Sequence, residues 1–384
     1  MPQRISQISL IKKVLFIVIF FAILAILFFL PYLLPAKTDN QITIIDNTAN
    51  VSESLNNVKH IKTPESLKAI YMTSWVAGTL SLRKNLIELI KSTELNAIVI
   101  DIKDYSGKIA FKTDEKVNRF GASEERISDI KDLLKELHDN NIYVIGRISA
   151  FQDSFLVNIK PAWGVKKQSD KNELWRDRKG IAWIDAGSEE MWRYLSDIGH
   201  FSYSIGFDEL NFDYIRFPSD GNMEDIYYPY SEGEEKKEVI RKFFGFLYKE
   251  FRDTGAVLSA DLFGMTTTNT DDLNIGQYLE YALPYFDFVA PMVYPSHYPA
   301  TFLGFSNPAE HPYEVIKFSM DEAVKRASTT PEKIRPWLQD FDLGADYDAG
   351  MVRAQIQATY DAGLKSFMLW SPSNRYTKDA LKGQ

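Results

Sequence analysis

The sequence predicts an α/β protein, a (β/α)8 TIM barrel, on three observations. From about Leu67 onward, short apolar runs rich in β-branched residues alternate with helical stretches, the mark of β/α units around a parallel sheet. The strand-like runs number eight. No G-x-G-x-x-G follows the first of them, which argues against the open doubly wound sheet with a dinucleotide site.

The expected strands are Leu67–Trp75, Asn96–Lys103, Ile142–Ala150, Gly206–Phe217, Ala256–Phe263, Phe286–Tyr294, Ile334–Asp340 and Lys365–Trp370. Helical spacing lies between them, at Leu82–Ser92, Ser128–Asn140, Glu189–Ser204, Lys236–Thr254 and Asp348–Ala362, with Gly363 placed to end the last. The fourth strand, G-F-D-E-L-N-F-D-Y-I-R-F-P over 206–218, is the most informative. Alternation puts Phe207, Glu209, Asn211 and Asp213 on one side and Asp208, Leu210 and Phe212 on the other. A strand polar on one face among buried neighbours either edges a sheet or ends in a polar cavity. The aromatic tail Tyr214–Phe217 favours the cavity.

Composition narrows the function. The chain has 384 residues, 45% hydrophobic and 25% charged, enough for a large core. A net charge of −8 argues against nucleic acid or an anionic membrane surface as the main partner. Cysteine is absent, His numbers five and H-E-x-x-H does not occur, so neither a zinc site nor any other metal or cofactor is expected.

The N-terminus points to a compartment. Val14 to Leu30 is uninterruptedly apolar, about the length that spans a ~30 Å hydrocarbon layer, and Arg4, Lys12 and Lys13 precede it. The run exceeds a usual signal-peptide core, and Leu34-Pro35-Ala36 fits a cleavage site poorly. The expectation is a single-pass cell-membrane anchor over residues 1–35, N-terminus cytoplasmic. A flexible polar stalk over 36–66 and an extracytoplasmic barrel over 67–384 would follow.

In such barrels the active site sits at the C-terminal ends of the strands. Those ends carry Trp75; Asp101, Lys103 and Asp104; Arg147; Asn211, Asp213 and Arg216; Asp261; Tyr294; Gln339; and Trp370, with His297 in the loop after strand six. Carboxyls that transfer protons or attack, beside flat rings that stack on sugar faces, suit carbohydrate chemistry.

These segments also resemble an uncharacterised bacterial family of TIM-barrel glycoside hydrolases. The resemblance runs from about Leu67 to Tyr376, through V-I-D-I-K-D-Y-S-G (99–107), the 206–218 segment, S-A-D-L-F-G (259–264), A-P-M-V-Y-P-S-H-Y (290–298), P-W-L-Q-D-F (336–341) and M-L-W-S-P-S-N (368–374). Strand four is similar to the D-G-x-x-x-D segment of chitinase-type and amylase-type barrels, whose strand-four acid is catalytic. Where chitinases place a Glu proton donor two residues further on, this chain has Ile215, which argues against substrate-assisted chitin cleavage.

Asp213 is the candidate nucleophile or base, or else a plain partner of Arg147 or Arg216. Asp261 is the candidate general acid, or else a cap on the Gly264 turn. Asp101 and Asp104 bind hydroxyls or form an ion network around Lys103, while Asp208 reads as structural. The remaining mouth residues are candidate substrate contacts. Two functions follow: an anchored hydrolase or transglycosylase of cell-envelope or extracellular polysaccharide, or a non-catalytic carbohydrate-binding, envelope-scaffolding barrel.

Overall fold

The computed structural model describes residues 58–383. The expected anchor and the stalk up to residue 57 lie outside them. Among the described residues no helix is long and apolar enough to cross a membrane.

Eight parallel strands close into a barrel in chain order: β1 (Lys68–Met72), β2 (Ala97–Lys103), β3 (Tyr143–Ser149), β4 (Glu209–Asp213), β5 (Val257–Phe263), β6 (Phe288–Met292), β7 (Trp337–Gln339) and β8 (Phe367–Trp370). β8 pairs with β1 to complete the ring. Each expected run holds one strand. The longest expectation, 206–217, shortens to five residues because Tyr214 turns into the left-handed region at φ 51° and ends the ladder.

The principal helices are α1 (Leu80–Lys91), α2 (Ile130–Asp139), α3 (Glu189–Ile205), α4 (Lys236–Phe251), α5 (Pro312–Ala327) and α6 (Ala349–Asp361). α2 buries Ile130, Leu133, Leu134 and Leu137, one stripe at helical spacing. Gly363 follows α6 at φ 87°, as its sequence position implied. α5 escaped the sequence reading because Ser319, Ala323 and Ala327 dilute its buried stripe.

Strand alternation sorts the core into two layers. Ile70, Ile98, Ile100, Val144, Leu210, Phe212 and Leu258 face outward into the large core beneath the helices. Leu67, Ala69, Tyr71, Ala97, Val99, Tyr143, Ile145, Trp337 and Met368 fill the barrel interior. Gly146 lies where a Cβ would meet Ile102 Cδ1 at 2.2 Å and Phe207 Cδ1 at 2.8 Å, so any larger residue would push these two side chains aside in the outer layer. Phe207 departs from the expected inward side and packs in the outer layer near Phe111, since the strand begins only at Glu209.

Long connections after β3 and β4 build a lobe over the C-terminal ends of those strands. Lys166–Lys167 pairs antiparallel with Ile226–Tyr227, and Trp175 Nε1 donates to Asn222 O at 2.8 Å.

At the opposite end, residues 58–66 of the expected stalk lie against the barrel. Ile61 N donates to Asp208 Oδ1 at 2.7 Å, the Thr63 hydroxyl meets Tyr143 OH at 3.0 Å, and the His60 ring stacks on Tyr203 at 4.1 Å. The Ile61 side chain packs on the interior core. Asp208, as expected, is structural: it also accepts from Val144 N and is bonded to His138 Nε2, and these partners hold its carboxyl below the usual range despite burial. A chain beginning at Leu67 leaves Asp208 short of a donor and should be about 1–3 kcal/mol less stable than one beginning at Val58. The urea midpoint measures this, and equal midpoints would show that residues 58–66 add nothing to the folded unit.

Candidate active site

Parallel register brings the inward residues of β2 to β5 together on two successive levels. Arg147 of β3 stands opposite Asp101 of β2 and Asn211 of β4, Ser149 opposite Asp213, and Asn211 opposite Ser259 of β5. Arg147 is the hub. Its Nη1 donates to Asp101 Oδ1 at 2.7 Å, its Nε to Asp213 Oδ2 at 3.0 Å, and its Nη2 to the same Asp213 oxygen. Nε also lies 3.9 Å from Asp261 Oδ2. Asp213 and Asp261 thus flank a single nitrogen, and these two distances laid end to end put their Oδ2 atoms at most about 7 Å apart, close enough for both carboxyls to reach one glycosidic bond.

The three carboxyls have unequal partners. Asp213 receives two guanidinium donors and its neighbour Tyr214 N, at 2.5 Å. Asp101 receives Arg147 and the Tyr71 hydroxyl, at 2.5 Å, yet burial still pushes its carboxyl above the ordinary range. Among the described residues Asp261 receives only neutral donors, Asn211 Nδ2 at 2.9 Å and Trp337 Nε1 at 2.8 Å, both on Oδ1. Burial first and the Asp213 charge second push its carboxyl up to about 8. Near neutral pH the site therefore pairs a protonated Asp261 with an ion-paired Asp213.

Other expected residues join this centre. Asn211 also donates to Ser259 Oγ at 3.1 Å, while its own Oδ1 is buried without a partner among the described residues. Tyr294 is buried in the site, and burial and the charges of Asp261 and Asp213 raise its phenol. Trp370 stacks on Tyr71 at 4.0 Å, with the Arg147 guanidinium 5.2 Å from its ring.

Four expected residues lie outside this hydrogen-bonded centre. Trp75 is 63% exposed, with one face on the Arg126 guanidinium at 4.7 Å. Arg126 is fixed by Asp104 at 2.6 Å, so Asp104 forms an ion pair separate from Asp101. His297 is exposed beside Tyr294 and Phe341. Arg216 stacks near Trp183.

Two expected contacts are spent elsewhere. Lys103 is fully buried, ion-paired with Asp153 at 2.9 Å and donating to Ser149 O at 2.6 Å, so it braces the loop after β3 and takes no part in an Asp101–Asp104 network. Gln339 is fully buried and ties loops together, accepting from Ser296 and donating to Phe341 O. The sequence reading overlooked Tyr71, Trp337 and Arg126. The first two lie on the inward parity of their strands, so alternation alone points to them, whereas Arg126 sits in a loop that carries no such signal.

The profile of the family described as "Putative glycosyl hydrolase domain" matches residues 69–376, the whole barrel. The chain belongs to that family. No match is found among curated proteins. Among solved structures, a hypothetical protein from Ruminiclostridium thermocellum is 33% identical, covering 54% of this chain and 98% of its own, at TM-score 0.46. The PgaB (BpsB) glycoside hydrolase domain from Bordetella bronchiseptica is 15% identical, covering 83% and 99%, at TM-score 0.61. A chitinase from Chromobacterium violaceum is 13% identical, covering 82% and 96%, at TM-score 0.51. At these identities the last two establish a shared TIM barrel.

The Asp261 carboxyl makes stability depend on pH with a definite sign. The folded chain keeps a proton that the unfolded chain releases near the ordinary carboxyl value, so rising pH from about 4 to about 8 favours unfolding through this group. Asp261→Asn keeps the shape without the titration. Between pH 5 and 9 its urea midpoint should fall less steeply than that of the natural chain, and parallel profiles would refute a protonated Asp261.

Proposed function

We propose that this family member is a glycoside hydrolase, or a transglycosylase, acting on a cell-envelope or extracellular polysaccharide. One observation carries the reading: Asp261, bonded among the described residues to neutral donors and pushed up to about 8 by burial and the Asp213 charge, stands across a single arginine nitrogen from Asp213, which takes the guanidinium's hydrogen bonds. Glycosidic cleavage needs this asymmetry. An acid must protonate the departing oxygen while a base or nucleophile acts at the anomeric carbon. Asp261 is assigned as the acid. Asp213 attacks or activates water as Arg147 shifts toward Asp101, which keeps the guanidinium paired throughout. The unpartnered Asn211 Oδ1 accepts from a substrate hydroxyl or the attacking water, and Tyr294 and Trp370 line the sugar site. Trp75, offered rigidly on Arg126, gives a sugar a face to stack on at the rim. A scaffolding barrel that only binds glycan has no use for a buried acid with so high a pKa.

The membrane placement rests on the N-terminal sequence. The apolar span and its basic flank support a single-pass anchor with the barrel outside the cytoplasm. An enzyme so tethered meets envelope and extracellular polymers, which fits the proposed substrate.

Substitution of the pair tests the assignment. Asp213→Asn should lower kcat on a cleavable glycan by about 10³-fold or more while leaving the fold and most of the glycan affinity intact. Asp261→Asn should cost about 10²–10⁴-fold on natural glycosides but little on aryl glycosides, whose leaving group needs no proton. Near-normal turnover by Asp213→Asn would rule out the β4 assignment.

A further inference from the structure

Arg216 differs from the other arginines at the barrel mouth. Arg147 is ion-paired with Asp101 and Asp213, and Arg126 with Asp104 and Glu124. Arg216, three residues beyond Asp213, has no carboxylate within 4.0 Å among the described residues. It is nonetheless largely buried, enough for desolvation to lower its pKa. Only Nη1 is bonded, to Phe217 O at 3.0 Å and Ser219 Oγ at 3.3 Å, while the guanidinium carbon sits 4.8 Å from the Trp183 ring centre and 5.5 Å from that of Tyr214. The Nε and Nη2 edge has no protein acceptor among the described residues.

The chain between Asp213 and Arg216 is strained as well. Tyr214 adopts φ 51°, a conformation that L side chains take at a cost of about 1–3 kcal/mol. The bond from its N–H to Asp213 Oδ1 holds it there. The turn sets the Tyr214 ring 5.5 Å from the Arg216 guanidinium. Its hydroxyl has no protein partner among the described residues. Asp213, Asp220 and Asp177 act on this partly desolvated cation only from beyond 4.0 Å, so a carboxylate in direct contact would add a stabilisation that the described residues do not supply. A planar carboxylate matches a free guanidinium edge in two parallel hydrogen bonds, and the flanking rings fix the plane in advance.

We propose that Arg216, with the Tyr214 hydroxyl, is a subsite for a carboxylate carried by the glycan, so that the substrate is an acidic polysaccharide with a uronic-acid or similar unit beside the scissile bond. This rests on the hydrolase reading above. The chain's net charge of −8 repels a polyanion at long range, so the preference arises from this local contact.

The test is calorimetric binding to the natural chain of alginate, polygalacturonate and hyaluronan oligosaccharides, each beside its carboxyl-reduced counterpart. At least one acidic form should bind about tenfold or more tighter than its reduced twin. Arg216→Gln should remove that difference while leaving the reduced form's affinity unchanged, and Arg216→Lys should restore part of it. Equal affinity of the natural chain for every acidic and reduced pair, absence of any acidic binding, or a preference that survives in Arg216→Gln overturns the proposal. A preference that depends on Arg216 without any cleavage would sink the hydrolase reading and leave the subsite standing.

Discussion

Arg147 brings one positive charge into a barrel interior where three aspartates converge. In a desolvated space one guanidinium cannot satisfy three carboxylates. Two take its hydrogen bonds, and the third is left with the neutral N–H groups of Asn211 and Trp337. The least costly state leaves a proton on that third carboxyl. The asymmetry that glycosidic chemistry requires therefore comes from a shortage of cations, built in by which strands carry which residues.

The barrel bears the cost of this arrangement. β4 threads three polar levels through the interior. Glu209 at the bottom is matched by Arg335 at 2.9 Å and by the Tyr143 hydroxyl, Asn211 in the middle by Ser259 and Asp261, and Asp213 at the top by Arg147. Each level is a buried polar set that is weak as a source of stability and costly when a partner is deleted outright. The outward faces of the same strands supply the compensation, where Leu210 and Phe212 join the large apolar layer under the helices. Residues 58–66 close the bottom level from outside by bonding to Asp208 and Tyr143.

Much of this was legible in the sequence, and the limits have physical causes. The eight strands were visible because a parallel barrel buries both faces and so writes apolar runs. Asp101, Arg147, Asn211, Asp213 and Asp261 were visible because a charged or amide side chain on the inward parity near a strand's C-terminal end has few places to go. Side-chain reach was not visible. Lys103 shares strand and parity with Asp101, yet a bulge between them and a buried Asp153 direct its ammonium away from the mouth. Gln339 ends β7 at the expected level, but its amide is absorbed by loops whose course no local pattern encodes. Tyr71 and Trp337 were passed over because aromatic residues in strands usually read as core, and here they are both core and hydrogen-bond donors.

The central claim is that Asp261 carries a proton at neutral pH while its neighbour Asp213 is ion-paired. Carbon-13 NMR of the aspartate carboxyl carbons, assigned by comparison with Asp261→Asn, reads this directly. The account predicts an Asp261 resonance that titrates with a midpoint near 8 and moves down when Asp213→Asn removes the neighbouring charge. A midpoint near the ordinary aspartate value, unmoved by that substitution, would contradict it.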